Sequence, residues 1–163
     1  MKGRRAVAPR PGRLRVRPAR AADAENIATA QLRMALETER MRLRPATVAR
    51  GVRAALSDAA KGRYYVADRG GRFAGCLMIT REWSDWRNGW IWWLQSLYVP
   101  PAERGRGVFR ALYRRVLADA RAARARGLRL YVDRRNAVAQ RAYGAVGMDG
   151  GHYRVFERVL APR

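Results

Sequence analysis

"ERGRGVFRALYRRV", residues 103–116, is the stretch whose reading decides the fold. Phe109, Leu112, Val116 and Ala120 recur at helical spacing with Val108, Tyr113 and Leu117 beside them, which leaves Arg110, Arg114 and Arg121 for water. That pattern predicts an amphipathic helix starting near Gly105 or Gly107. The first turn of a helix has backbone N–H groups without partners and a partial positive charge, and glycines let an anion approach them closely. A Gly-x-Gly string is weak by itself, since most are ordinary turns. Here it follows a strand-like run from Trp90 to Val99 and a break at Pro100-Pro101, the setting in which free amides converge on an anion. The stretch therefore predicts a phosphate cradle.

Working outward, 163 residues with 48% apolar content suit one domain with one core. The 35 Lys plus Arg against 13 Asp plus Glu give a formal charge of +22, a field that attracts anions of every kind and names no partner. Nearly all of that charge is arginine, lysine occurring only at Lys2 and Lys61, so compositional bias accounts for it as readily as selection for binding. The cations are also spread along the chain, whereas a nucleic-acid reader concentrates them on one face. A single cysteine, Cys76, excludes an internal disulfide, and a single histidine, His152, excludes a zinc cluster and a Ser-His-Asp hydrolase. Cys76, in an apolar strand, reads as inert packing, and His152 as a surface or sheet-edge residue. Residues 1–13 are cationic with no apolar run behind them, and no run of apolar residues is long enough to span a bilayer. The expectation is a cytoplasmic protein with no membrane contact, no metal, and a disordered basic arm over residues 1–13 ahead of a domain over 14–163.

Along the chain, "LRVRPA" predicts a strand. Asp23 is placed to cap a helix bearing Ile27, Ala30, Met34 and Ala35, and Pro45 to open a second helix that Gly62 ends. "RYYVADRGGRFAGCLMITREW" reads as a hairpin about Asp-Arg-Gly-Gly, and Asn88-Gly89 as the type I′ turn of a second hairpin. After the cradle helix, Gly127 is expected as its cap and "LRLYV" as a fifth strand. "NAVAQRAYGAVG" reads as a short helix closed by Gly147, and "YRVFERVL" as a last strand. The order predicts an α/β fold with one central mixed, mostly antiparallel sheet and helices on both faces.

The second informative stretch is "NAVAQRAYGAVGM", 136–148. Asn136 and Tyr143 lie two helical turns apart and share a face, although by themselves the residues are better explained by a helix cap and a packed ring. Together the two stretches resemble the GNAT superfamily of acyl-CoA-dependent N-acetyltransferases. Its signature, Arg or Gln, two residues, Gly, one residue, Gly or Ala, is met at Arg104 and Gly107, with Phe109 at the last position; the motifs follow in family order over about residues 14–160. The resemblance implies that acetyl-CoA is the acyl donor. Its pantetheine arm would lie along Leu97, Tyr98 and Val99, its diphosphate on the backbone of Gly105, Arg106, Gly107, Val108, Phe109 and Arg110 beside Arg104, with Asn136 contacting the arm and Tyr143 as catalytic acid.

The chemistry gives those roles content. An aliphatic amine has a pKa near 10, so about one in a thousand is nucleophilic at neutral pH and a base is required. The acyl oxygen needs a backbone donor, for which the N–H of Leu97 or Tyr98 is placed. The departing thiolate, with a reference pKa near 8.5, needs a proton that a phenol such as Tyr143 still carries. Glu82 is the candidate base. Glu82 and Asp85, with Glu37 and Glu39, form two acidic clusters in an acid-poor chain; they either offset neighbouring arginines or line an acceptor pocket that attracts a cationic amine. All five tryptophans fall in "REWSDWRNGWIWWLQ". Trp90, Trp92 and Trp93 alternate as a buried strand would, whereas Trp83 and Trp86 could wall the acceptor site. This hairpin is partly similar to that of the diamine and polyamine acetyltransferase branch, with Gln95 and Ser96 where that branch carries acids. The expected activity is direct acetyl transfer in a ternary complex to a primary amine of a small molecule. The alternatives are a protein or peptide N-acetyltransferase, or a basic nucleic-acid-binding protein with a vestigial CoA site. Non-specific nucleic-acid contact and a homodimer are both compatible with the sequence.

Overall fold

The computed structural model describes residues 12–158 and 160. The basic arm expected over residues 1–13 lies outside the described residues, apart from Gly12 and Arg13. Strands β1 (Leu14–Pro18), β2 (Arg63–Arg69), β3 (Arg72–Ser84), β4 (Gly89–Tyr98) and β5 (Gly127–Arg129) form one sheet in the order β1-β2-β3-β4-β5. The first four pair antiparallel and β5 joins β4 in parallel. Helices α1 (Ala24–Glu39) and α2 (Pro45–Ser57) follow β1, α3 (Val108–Ala122) links β4 to β5, and α4 (Ala137–Gly144) follows β5. No helix among the described residues is long and apolar enough to cross a membrane.

Strand alternation divides the core between the sheet's two faces. On one face Tyr65, Ala67, Leu77, Ile79, Trp92 and Leu94 pack beneath Val108, Leu112 and Val116 of α3. On the other, Tyr64, Val66, Cys76 and Tyr98 pack beneath Ile27 and Ala30 of α1 and Val52 and Ala55 of α2. Helices therefore cover both faces, as the order of elements predicted. The tryptophan run alternates between the faces, Trp92 being buried under α3 and Trp93 half-buried on the opposite side, but Trp90, expected to be buried with them, is exposed beside the hairpin turn.

Several local expectations are corrected. Asp23 precedes α1 but does not cap it: its oxygens accept from the Arg17 guanidinium at 2.7 and 2.9 Å and from the Arg20 amide at 2.7 Å, closing the preceding turn. Helix α2 stops at Ser57, ahead of an Asp58–Lys61 ion pair, and Gly62 serves instead to open β2, where a Cβ would come 3.0 Å from the Ile79 carbonyl. The second hairpin turns through Asp85, Trp86, Arg87 and Asn88, closed by the Asn88 amide on the Asp85 carbonyl at 3.1 Å. Only Asn88 is left-handed there (φ 42°); Gly89 is already in the strand, where a Cβ would lie 2.6 Å from Arg126 Cγ. Helix α3 ends with Arg124, not Gly127, in the left-handed position (φ 55°), and the Ala125 amide returns to the Ala120 carbonyl at 2.9 Å. Gly147 does close its turn, its amide reaching the Gly144 carbonyl and that of Met148 the Tyr143 carbonyl, the paired bonds of a Schellman motif. The fifth strand is shorter than "LRLYV", and the described part of "YRVFERVL" forms no strand. With β5 only 3 residues long, little edge exists to template another, and Val155, Phe156 and Leu160 lie exposed.

Candidate active site

Two irregularities in β4 create the site. Between Met78↔Gln95 and Cys76↔Tyr98 the register slips, so β4 holds an extra residue, and Ser96 takes a left-handed conformation (φ 52°) that is uncommon for a residue with a side chain. The buried amide of Gln31, from α1, donates to the Ser96 carbonyl at 3.3 Å and to the Cys76 sulfur at 3.6 Å. Burial pushes the Cys76 thiol up to about 12, which keeps it a neutral packing group, as its sequence context predicted. Below the bulge β5 diverges: it pairs with β4 only from Ile91 to Trp93, so the edge of β4 from Leu94 to Tyr98 has no strand beside it. The strands form a notch, open toward Leu97, Tyr98 and Val99.

The loop after β4 leads from that free edge into α3. Gly105 (φ 71°) and Gly107 (φ 80°) adopt conformations that favour glycine, and a Cβ on either would meet nothing within 4 Å. Among the described residues, the amides of Gly105, Arg106, Gly107, Val108, Phe109 and Arg110 have no hydrogen-bond partner; the first return bond runs from Ala111 to Gly107 at 3.0 Å. This continuous row of donors at a helix N-terminus is what a diphosphate requires. The arginine side chains of the loop turn the other way. Arg104 donates to the Val99 carbonyl at 3.0 Å and ion-pairs with Glu37, while Arg106 returns to Glu103 at 3.2 Å and Arg69 braces Glu103 at 2.9 Å. They fasten the loop and leave the anion to the main chain.

Phe109, at the position where the signature has a small residue, points inward. Its ring lies 6.0 Å from Tyr113 and meets Tyr143 of α4 edge-on at 5.5 Å, which carries α4 against the start of α3. The Tyr143 hydroxyl has no partner among the described residues, and burial raises its pKa above the usual phenol value. Asn136 caps α4, its side-chain oxygen accepting from the Ala139 amide at 3.0 Å, while its amide nitrogen stays without a described partner.

The acids are not free. Glu37 accepts from the Tyr98 hydroxyl at 2.8 Å and pairs with Arg104, whose hydrogen bond holds its carboxyl below the ordinary range. Glu82 accepts from Trp93 Nε1 at 2.5 Å and from Arg129 Nη1 at 2.8 Å. Glu82, Trp93 and Arg129 share the face covered by α1 and α2; Trp93 and Arg129 are the last pair before the strands part, and Glu82, opposite Ile91, reaches them through its side chain. Trp83, expected beside Glu82, lies on the opposite face, edge-on to Trp90 at 5.2 Å, because neighbours in a strand point to opposite sides. Asp85 and Trp86 sit in the hairpin turn, Asp85 accepting from the Trp86 amide at 2.8 Å and Trp86 standing 90% exposed. The structure thus brings Leu97, Val99, Phe109 and Tyr143 together on the α3 side of the sheet, holds Glu82 on Trp93 and Arg129 where β4 and β5 part, and leaves Trp83, Asp85 and Trp86 at the hairpin end. Sequence reasoning missed Arg129, whose only signal was a charge alternating with Leu128 and Leu130, and Gln31, which had none.

Comparison with known proteins agrees with this geometry. The model of the acetyltransferase (GNAT) family matches residues 23–148. Among solved structures, a possible acetyltransferase from Clostridium difficile 630 is 33% identical with a TM-score of 0.83, over 91% of this chain and 99% of that one. An aminoglycoside N-acetyltransferase in complex with CoA (17% identity, TM-score 0.78, 95% of this chain and 100% of that one) shares the fold. So does a ribosomal-protein-alanine N-acetyltransferase from Brucella melitensis biovar Abortus 2308 (16%, 0.73, 90% and 100%). No curated protein sequence matches the chain. The family match over most of the domain, on a fold that opens β4 beside a row of free amides, makes this chain a member of the acetyltransferase (GNAT) family.

Proposed function

We propose that this acetyltransferase moves the acetyl group of acetyl-CoA directly to a primary amine of a small molecule, with both substrates bound together. The observation that carries the reading is the unpartnered row of amides from Gly105 to Arg110, with open space at both glycines, beside the notch between β4 and β5. These features fit acetyl-CoA, which supplies an activated acyl group as a thioester. The loop amides would hold its diphosphate, the free edge of β4 at Leu97, Tyr98 and Val99 its pantetheine arm, and the unpartnered Asn136 amide a further part of the arm.

The remaining work falls to side chains at the notch. Glu82 is the base: each of its oxygens keeps a second lone pair beyond the bonds from Arg129 and Trp93, and can take the proton that makes the amine nucleophilic. The backbone N–H of Leu97 or Tyr98 is the donor for the acyl oxygen. Tyr143 Oη, kept protonated by burial, returns a proton to the thiolate.

The test is free-thiol release by the full chain with acetyl-CoA and a panel of small amines, aminoglycosides, amino acids and peptides, alongside calorimetric titration with CoA. Small-amine turnover supports the reading. Turnover of peptides alone would reassign the acceptor to protein, and failure to bind CoA, with retention of RNA at physiological salt, would favour the nucleic-acid-binding alternative.

A further inference from the structure

The sequence suggested a cationic acceptor drawn to exposed carboxylates; the structure gives the acceptor face a different charge. Glu37 and Glu82 are each matched by an arginine of the protein, Arg104 and Arg129. Arg33 adds a further positive charge near Glu37 and has no ion pair of its own among the described residues. The face at the mouth of the notch is therefore neutral to cationic, which disfavours a polycation such as a polyamine.

Arg129 is also built as a binding group. It sits at the last position where β5 pairs with β4, opposite Trp93, so it stands at the apex of the notch. Its guanidinium lies 5.8 Å from the Trp93 ring centre and 5.9 Å from that of Tyr153, held between two aromatic faces. Tyr131 extends the same wall, 6.5 Å from Trp93. Only Nη1 is used, on Glu82; Nε and Nη2 have no hydrogen-bond partner among the described residues, and about a third of the side chain (32%) is accessible. A stacked, half-exposed guanidinium with an unused edge is suited to accept a carboxylate.

Resting on the functional reading above, we infer that the acceptor is a compact zwitterion, an amine carrying a carboxylate one or two carbons from its nitrogen, as in an α-amino acid. The contact between Glu82 Oε1 and Arg129 Nη1, 2.8 Å, sets the two recognition groups side by side. A ligand whose ammonium and carboxylate are adjacent can address both at once: the ammonium meets the base that must deprotonate it, and the carboxylate meets the free edge of Arg129. A diamine offers nothing to Arg129, and an amine with a distant acid cannot reach both.

The experiment compares common α-amino acids with the amines left by their decarboxylation, such as tyrosine with tyramine and glycine with methylamine, using the full chain and acetyl-CoA. The expected result is a kcat/KM at least about tenfold higher for one or more amino acids than for the matched amine. Arg129→Gln should raise the acceptor KM about tenfold or more and leave CoA affinity, measured by calorimetry, at the wild-type value. Arg129→Lys, which keeps the charge without the fork, should fall between the two and covers the case in which Arg129→Gln folds poorly. Amines used as well as their amino acids, or no amino acid turned over by a chain that binds acetyl-CoA, overturns the inference. Failure to bind acetyl-CoA overturns the functional reading instead.

Discussion

The side-chain amide of Gln31, in α1, donates to the main-chain carbonyl of Ser96, in β4, across 3.3 Å and 65 positions of sequence. That bond holds Ser96 left-handed at φ 52° and so maintains the bulge from which Leu97 and Tyr98 face the notch. A left-handed residue with a side chain costs about 1–2 kcal/mol relative to glycine, and a buried hydrogen bond lost on one side about 1–3 kcal/mol. Gln31→Leu should therefore lower Tm by several degrees, at roughly 2–4 °C per kcal/mol for a domain of this size. Adding Ser96→Gly should restore part of the loss, because glycine accepts the backbone without help. Strictly additive effects in thermal denaturation of the single and double variants would show that the two residues are not coupled.

Gly107 is left-handed at φ 80° with nothing near its absent Cβ, so substitution there meets backbone strain but no clash. Gly107→Ala should cost about 1–2 kcal/mol of stability. Gly107→Glu adds a carboxylate beside amides arranged for an anion, and CoA affinity should fall by about two orders of magnitude while the circular dichroism spectrum is retained. Wild-type CoA binding by Gly107→Glu would place the diphosphate elsewhere.

Tyr143 packs its ring on Phe109 and leaves its hydroxyl without a described partner, so Tyr143→Phe should keep stability within about 0.5 kcal/mol. If the phenol supplies the proton, kcat should drop about 10²- to 10⁴-fold with little change in acetyl-CoA affinity. The sign of the pH dependence follows from burial. A raised phenol pKa keeps the acid protonated beyond the usual tyrosine range, so the wild-type rate should decline only above pH of about 10, and Tyr143→Phe should lack that limb. An unchanged kcat would remove Tyr143 from the chemistry.

Asp23 titrates in the opposite sense. The hydrogen bond from Arg17, more than any other contact, holds its carboxyl below the ordinary value. A depressed pKa stabilises the fold above the unfolded value, near 3.9, and that stabilisation is lost as pH falls through the folded pKa. The Tm of Asp23→Asn should lie below wild type at neutral pH, and the two should converge in acid. A gap that stays constant from neutral pH to about pH 2 would mean that the ion pair does not govern the effect.

Legibility divided by range. Gly105, Gly107 and the α3 stripe were read correctly because a helix N-terminus and its amphipathic face are local properties, set within a few residues. The Gly70-Gly71 turn and the Gly147 cap were legible for the same reason: each is a backbone conformation that one residue type enters at least cost. Gly62 and Gly89 misled, since a glycine demanded by a close approach looks in sequence like one demanded by a turn; Gly127 simply opens β5. At Gly89 the crowding comes from Arg126, 37 positions away.

The sequence by itself determined the alternation of elements as far as the last helix, the two-faced sheet, the loop that offers its amides, and the phenol that follows, because hydrophobic period and glycine conformation act locally. Only the tertiary structure decided which charges remain available at the site. Glu37 is claimed by Arg104 and Glu82 by Arg129, partners 67 and 47 positions distant. An ion pair depends on where strands and helices place two side chains in space: α1 against the loop after β4 for Glu37 and Arg104, β3 across β4 from β5 for Glu82 and Arg129, placements that no short stretch of the chain encodes.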